Sequence, residues 1–410
     1  MGKSSSKTVA RVLIGAYLAS FMLQAMNVMS LMLHGLSVQY PDASPQQIQL
    51  LMTVLNLFAI LGMLISGKCA SFFTKKTILV SLMVIMGIGG LIGYFSTNLT
   101  MVYVAAAIIG IADGSFIPMT AALIAEFLDG SKRATAMGIQ GIFVNGGAVV
   151  LNFIGGFLAA TFWKNLYYIY FAALPVAIIL LLVLPNGGQK EVAPPGEKAP
   201  VFTKFECSFL FTFFFNGLAF MTLLSNVAMW VFEAAIGNEV QAGIIQSCTT
   251  LGSVIMGAIL IVPMMKLLKR NHWAVSLTLA AIGLWVLSFA NSLPMAIVGG
   301  FLVGSCFSMH NTAFYSIAPS NTHPAKTSIS MSLGTVSQNI GMMLSPILIT
   351  PIAAVFAETI GTRFLVTAVL LTIAAAVTYV LPRTAMKECI LTLDEEKKAS
   401  EAAANANAEA

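Results

Sequence analysis

Apolar residues run through this chain in long blocks, separated by short polar stretches rather than alternating with them. A helix needs about 20 mostly apolar residues to cross the hydrocarbon of a bilayer, where only helices and closed barrels satisfy their own backbones. Blocks of that kind lie at 12–36, 46–66, 77–95, 99–125, 134–160 and 166–184. After a polar gap six more follow, at 205–233, 240–264, 273–290, 293–318, 326–356 and 361–381. The chain does not show the alternating segments of about 10 residues that mark a membrane barrel. The pattern predicts an all-α membrane protein with twelve transmembrane helices.

The gap divides the chain into a first bundle over 1–184, a linker over 185–204, a second bundle over 205–382 and a tail over 383–410. The linker sequence is rich in Pro, Gly and charge, which predicts a flexible connection. The tail is of low complexity, which predicts disorder. Val12–Leu36 is too long for the apolar core of a signal peptide and reads as an uncleaved first span.

Composition agrees with a bilayer as solvent: 58% of residues are hydrophobic and only 9% charged, against about 25% charged in soluble domains. The net charge of +5 does not point to nucleic acid, because the basic residues sit in short loops rather than on one face. All of the 21 Lys and Arg except Lys164 and Arg363 fall on the side of the even-numbered loops and termini. That asymmetry predicts that both termini lie in the cytoplasm, and the cell inner (plasma) membrane is the expected location. Five scattered cysteines form no paired framework, and no metal-ligand or nucleotide-binding motif occurs. The expectation is a non-enzyme that uses no cofactor.

Sliding the second half onto the first at an offset of 193 residues aligns Arg133 with Lys326 and Lys76 with Lys269. It also aligns Thr53 and Asn56 with Gln246 and Thr249, and Gly141, Asn145, Ala148 and Asn152 with Gly334, Gln338, Gly341 and Ser345. The last four positions share one helical face, and small residues there let helices approach closely in lipid. Two parallel six-helix repeats suggest bundles that rock about a midplane site.

These features resemble the major facilitator superfamily along nearly the whole chain. Gly67-Lys-Cys-Ala-Ser71-Phe-Phe-Thr-Lys75-Lys76 is similar to the loop that follows the family's second span, with Ser71 in place of its acid. Glu126 to Arg133 resembles the family's junction between spans four and five. Gly138, Gly147, Gly155 and Gly156 are similar to its span-five antiporter motif, with Leu151-Asn152 where Gly-Pro is usual. The resemblance implies the major facilitator fold, two pseudo-symmetric six-helix bundles around a central cavity lined by spans one, four, seven and ten. It implies a monomeric secondary transporter, with Gly67, Lys75, Lys76, Glu126 and Arg133 in a gating loop.

Ionisable side chains in mid-membrane are costly and therefore candidates for function. Asp113 in span four can take and release a proton, pair with a cationic substrate, or serve as a structural acid. His310 in span ten is the second such group, and a shared proton or substrate is expected if the two face each other. Gln24 and Asn27 stand on one polar face of span one, with Asn216, Asn226 and Trp230 on one face of span seven. Asn145, Gln338, Asn311 and Tyr315 complete the candidate cavity. Such amides suit a neutral or amphipathic small molecule. With no Lys or Arg expected deep in a span, multiply charged anions are disfavoured. The alternative is a uniporter or exchanger, for instance of a monocarboxylate, with no proton coupling.

Overall fold

Several spans start where a polar cap meets an apolar block. The Ser44 hydroxyl accepts the Gln47 N–H and the Gln47 side chain accepts the Ser44 N–H, with Pro45 in the first turn. Asn238 and Gln241 repeat that reciprocal cap, while Thr74 and Asn98 cap one-sidedly. The computed structural model describes residues 6–185, 204–321 and 324–380, apart from Gln24, Ser71, Asp129, Lys269 and Arg270. Nearly all of the linker and all of the tail expected at 383–410 lie outside the described residues.

The helices are α1 (Thr8–Gln39, in several pieces), α2 (Pro45–Cys69), α3 (Lys75–Tyr94), α4 (Leu99–Phe127), α5 (Gly130–Thr161) and α6 (Trp163–Val183). They continue as α7 (Lys204–Glu233), α8 (residues 239–268), α9 (His272–Ser288), α10 (Leu293–Asn321), α11 (Pro324–Ala354) and α12 (Ile360–Val380). Among the described residues, 11 helices are long and apolar enough to cross a membrane. The remaining one, α9, is apolar but has 17 residues and stands where the ninth span is expected. No strand occurs among the described residues.

Three helices depart from a regular ladder, among them α6, which opens as a 3₁₀ segment Trp163–Leu166 and is interrupted at Ala172. α1 runs Ser6–Met22, turns at Leu23, and resumes as Ala25–Val28, a 3₁₀ segment Met29–Met32 and Leu33–Gln39. α8 carries a six-residue π segment, Ile255–Leu260, between Glu239–Val254 and Ile261–Leu268.

Glycines set the closest approaches. A Cβ at Gly110 or Gly114 would collide with the carbonyl of Leu55 or Ala59, so α4 lies against the α2 backbone. Gly304 bears the same relation to the Thr249 carbonyl, joining α10 to α8. Gly147 lies on the Phe21 carbonyl and Gly341 on that of Phe214; the carbonyls are 193 residues apart and the glycines 194, a match to within one residue. The packing contacts therefore follow the repeat read in the sequence. Contact between the halves runs mainly along two seams, α2 with α11 and α5 with α8, and α1 adds contacts to α7 and α8.

Candidate functional site

The two seams are tied by hydrogen bonds at the end that carries the α1–α2, α7–α8 and α11–α12 loops. Asn226 of α7 is the hub. Its Oδ1 accepts from Gln49 Nε2 of α2 at 2.5 Å and from Arg363 Nη1 of α12 at 2.8 Å. Its Nδ2 donates to the Thr222 carbonyl at 2.8 Å and to Ser225 Oγ at 3.1 Å. Thr350 of α11 then donates to Gln49 Oε1 at 2.6 Å. A four-helix polar cluster, α2–α7–α11–α12, thereby crosses from one half to the other.

Further bonds flank the cluster. Thr53 donates to the Met343 carbonyl at 3.1 Å across the α2–α11 seam. On the opposite seam Ser247 donates to the Val149 carbonyl, also at 3.1 Å. These two bonds are near-images under the repeat, since Thr53 maps onto Gln246 and Met343 onto Val150. Gln246 itself donates to Ser30 Oγ of α1 at 2.7 Å, and His34 stacks on Phe232 with ring centroids 3.4 Å apart. Gly156 and Gly243 let the α5 and α8 backbones touch. Toward the other end of α5, a Cβ at Gly141 or Gly146 would meet nothing within 4 Å, and Ile142 is 68% exposed. The hydrogen bonds described between the halves gather at the loop end.

This arrangement revises one premise. Arg363, expected in an outer loop, belongs to α12 and is buried. Three residues of α12 precede Arg363, and Glu233 Oε1 caps that helix by accepting the Ile360 N–H at 2.8 Å. A guanidinium is thus held inside the fold, where the apolar pattern alone indicated none. Gln49, Thr350 and Arg363 are site residues that sequence reading missed. The available signal was Arg363 lying only three residues inside the twelfth apolar block.

The expected cavity residues divide into two groups. Asn216, Asn226, Trp230 and Gln338 are buried in helix–helix contacts. Gln338 Nε2 donates to Asn216 Oδ1 at 2.7 Å, Asn216 Nδ2 donates to Cys306 Sγ at 3.3 Å, and Trp230 meets Phe364 edge to face. Asn145 and Asn311 are half-buried. Each spends Nδ2 on the carbonyl four residues back, at 2.8 Å, and its Oδ1 makes no hydrogen bond among the described residues. Asn27 is half-buried in the α1 piece beyond the break, where its carbonyl accepts from Ser30 Oγ. Gln24 and the Tyr315 side chain lie outside the described residues.

Asp113 and His310 do not meet. Asp113 is buried in the first half, facing the backbone N–H of Met26 where α1 resumes after its break. Beside it, the Tyr170 hydroxyl of α6 donates to the Ala25 carbonyl at 2.9 Å, so α4 and α6 grip the same joint. Asp113 Oδ1 has no hydrogen-bond partner among the described residues. His310 is buried in the second half, with Nε2 and Thr212 Oγ1 3.0 Å apart and its ring edge-on to Phe213. Of the expected gating loop, Lys75 and Glu126 form an ion pair at 3.1 Å, joining α3 to α4. Lys76 donates to the Leu184 carbonyl at 2.8 Å. Gly67 stands near the end of α2, and the Arg133 side chain lies outside the described residues.

A near-charge-free bundle of membrane helices, split by a polar seam that closes at one end, is the architecture of a multi-pass transporter of small molecules. The profile of the Major Facilitator Superfamily matches residues 10–346 and again 209–402, and the chain belongs to that family. The crystal structure of a bacterial homolog of the human lysosomal transporter Spinster, inward-facing and unoccupied, superposes with a TM-score of 0.77. The identity is 16%, over 94% of this chain and 99% of that one. A D-xylose–proton symporter gives 0.71 at 14% identity, over 91% and 98%, and a nucleoside transporter 0.71 at 13%, over 90% and 99%. At these identities the likeness establishes the fold. A triacylglyceride transporter of Mycobacteroides abscessus is 30% identical over 139 residues, which is 34% of this chain and 27% of that protein.

Proposed function

We propose that the protein is a secondary active transporter that moves a small organic solute by alternating access, coupled to protons through Asp113. The observation that carries this reading is the seal, a set of cross-half hydrogen bonds gathered at one end of the bundle among the described residues. Interhelical hydrogen bonds in bilayers contribute about 0.6 kcal/mol each on average. Six such cross-half bonds, three made by Gln49 and three flanking them, bias the two states by only about 4 kcal/mol, or several hundredfold. Binding of a solute has enough free energy to reverse that bias.

With the basic loops in the cytoplasm, the sealed end faces outward and both termini face inward, in the plasma membrane. Two bundles, 1–184 and 205–382, would then rock as bodies within a monomer. The half-buried carbonyls of Asn145 and Asn311 offer acceptors to a neutral or amphipathic solute. Asp113 supports coupling through its place: its carboxylate faces the α1 joint, and the α1 piece beyond that joint carries Ser30 and His34 of the seal. A proton gained or lost there acts on the gate.

The uncoupled reading, a uniporter or exchanger, draws on the same placement, since Asp113 lies inside the first half rather than beside the amides. Uptake into liposomes with and without an imposed pH gradient separates the two, after a thermal-shift screen has found a solute. Coupling predicts that the gradient drives accumulation and that Asp113→Asn abolishes accumulation while leaving exchange. Accumulation that survives Asp113→Asn contradicts the assignment.

A further inference from the structure

The outer surface of the first half holds a recess that the transport pathway does not use. A cavity of about 230 Å³ opens between α2, α3 and α4, lined by Ile65, Ser66, Cys69, Ser81 and Ile85 among others. A second, shallower recess of about 290 Å³ adjoins it and shares Ile65 and Cys69, ending at Lys68 and Phe72. Ile65 and Phe72 are exposed, which for a helix bundle in a bilayer means they face lipid.

The lining is chemically divided. The Ser66 and Ser115 hydroxyls donate to carbonyls of their own helices, so the deep part presents an apolar surface. Ser81 is exposed, and its hydroxyl makes no hydrogen bond among the described residues. It stands six residues, or about 9 Å of helix, from Lys75 at the start of α3. Of the three lysines at the junction of α2 and α3, Lys75 pairs with Glu126 and Lys76 is bonded to the Leu184 carbonyl. Lys68 is exposed and makes no ion pair or hydrogen bond among the described residues. An apolar slot, a hydroxyl at intermediate depth and an uncommitted ammonium at the mouth form a linear series.

We propose that this recess is a binding site for one anionic phospholipid, with an acyl chain in the slot between α2, α3 and α4 and the phosphate at Lys68. Attraction of anionic headgroups to basic juxtamembrane residues is worth about 1 kcal/mol per residue. The slot adds the discrimination that a bare lysine lacks, because the chain must leave the bulk lipid to fill it. With Ser81 and Ile85 of α3 and Ser115 of α4 in its lining, the site lies beside the α3–α4 contact and shares no residue with the cross-half seal.

Cys69 reports occupancy directly, since its free thiol is half-buried and lines both recesses. The purified full-length protein is placed in mixed micelles with phosphatidylglycerol or with phosphatidylcholine of the same chains. Alkylation of Cys69 by N-ethylmaleimide is then followed by mass spectrometry, relative to half-buried Cys248 in the same sample. Phosphatidylglycerol should slow the relative rate about fivefold more than phosphatidylcholine. Lys68→Gln should remove the difference between the two lipids, and Ser81→Trp, which fills the slot, should remove protection by either. Equal protection by both lipids in the unaltered protein overturns the proposal. A phosphatidylglycerol preference that survives Lys68→Gln also overturns it. Should Ser81→Trp fail to fold, Lys68→Gln alone decides, because it alters only an exposed side chain.

Discussion

At the scale of single residues, Asn226 is the most heavily committed side chain described. One amide serves four partners on its own helix and on α2 and α12. Removing it leaves a buried guanidinium without its acceptor, and breaking a buried charged hydrogen bond costs about 1.5–3 kcal/mol. Asn226→Ala is therefore expected to lower stability by about 2–3 kcal/mol in denaturant titrations in mixed micelles. Thr350→Val, which deletes one neutral bond to Gln49, should cost less than half as much. His310 tests the opposite case. Its ring sits inside the second half against Thr212 and Phe213, so His310→Gln should cost about 1 kcal/mol and leave the pH profile of transport unchanged. A shifted profile would return His310 to the pathway. Asp113 and His310 were both legible as costly intramembrane groups, but the sequence did not reveal that each packs into its own half.

At the scale of elements, glycine positions decide which helices touch at backbone distance. Gly114 lies against the Ala59 carbonyl, and a larger side chain there must push α4 off α2. Gly114→Leu is expected to cost at least the 1–3 kcal/mol or so typical of overpacking, read as a large fall in Tm. Gly141→Leu, where a Cβ meets nothing within 4 Å, should leave Tm nearly unchanged. Hydropathy marked α2, α4 and α5 as spans without distinguishing these two glycines, because the same residue type serves a tight contact and an open face. The break in α1 was likewise hidden. The apolar block at 12–36 reads as one helix, and the interruption is held by Asp113 and Tyr170, which arrive from α4 and α6.

At the scale of the whole molecule, the α5–α8 seam closes only because Gly156 and Gly243 face each other. Gly243→Leu should hold the loop end apart. Spin labels at the exposed residues Asp42 and Glu358, one in each half, should then report a longer mean distance than in the unaltered protein. An unchanged distance distribution would show that this seam does not govern closure.

What the sequence determined by itself is what each segment prefers as solvent, and how often the pattern repeats. Blocks of apolar residues must leave water whatever their neighbours, so spans, basic loops and the 193-residue offset can all be read one segment at a time. The offset matches the paired seam bonds of Thr53 and Ser247 only to within one residue, since Thr53 maps onto Gln246. Which polar groups meet is a different kind of property, decided only in the tertiary structure. Gln49 and Asn226 are 177 residues apart, and Asn226 and Arg363 are 137 apart. Within lipid a span is apolar whichever helices surround it, so hydropathy carries no information about partners. Close packing at small residues and the need to satisfy each buried polar group select them, which is why Asn226 reads as a cavity amide in the sequence and stands in the fold as the hub of the seal.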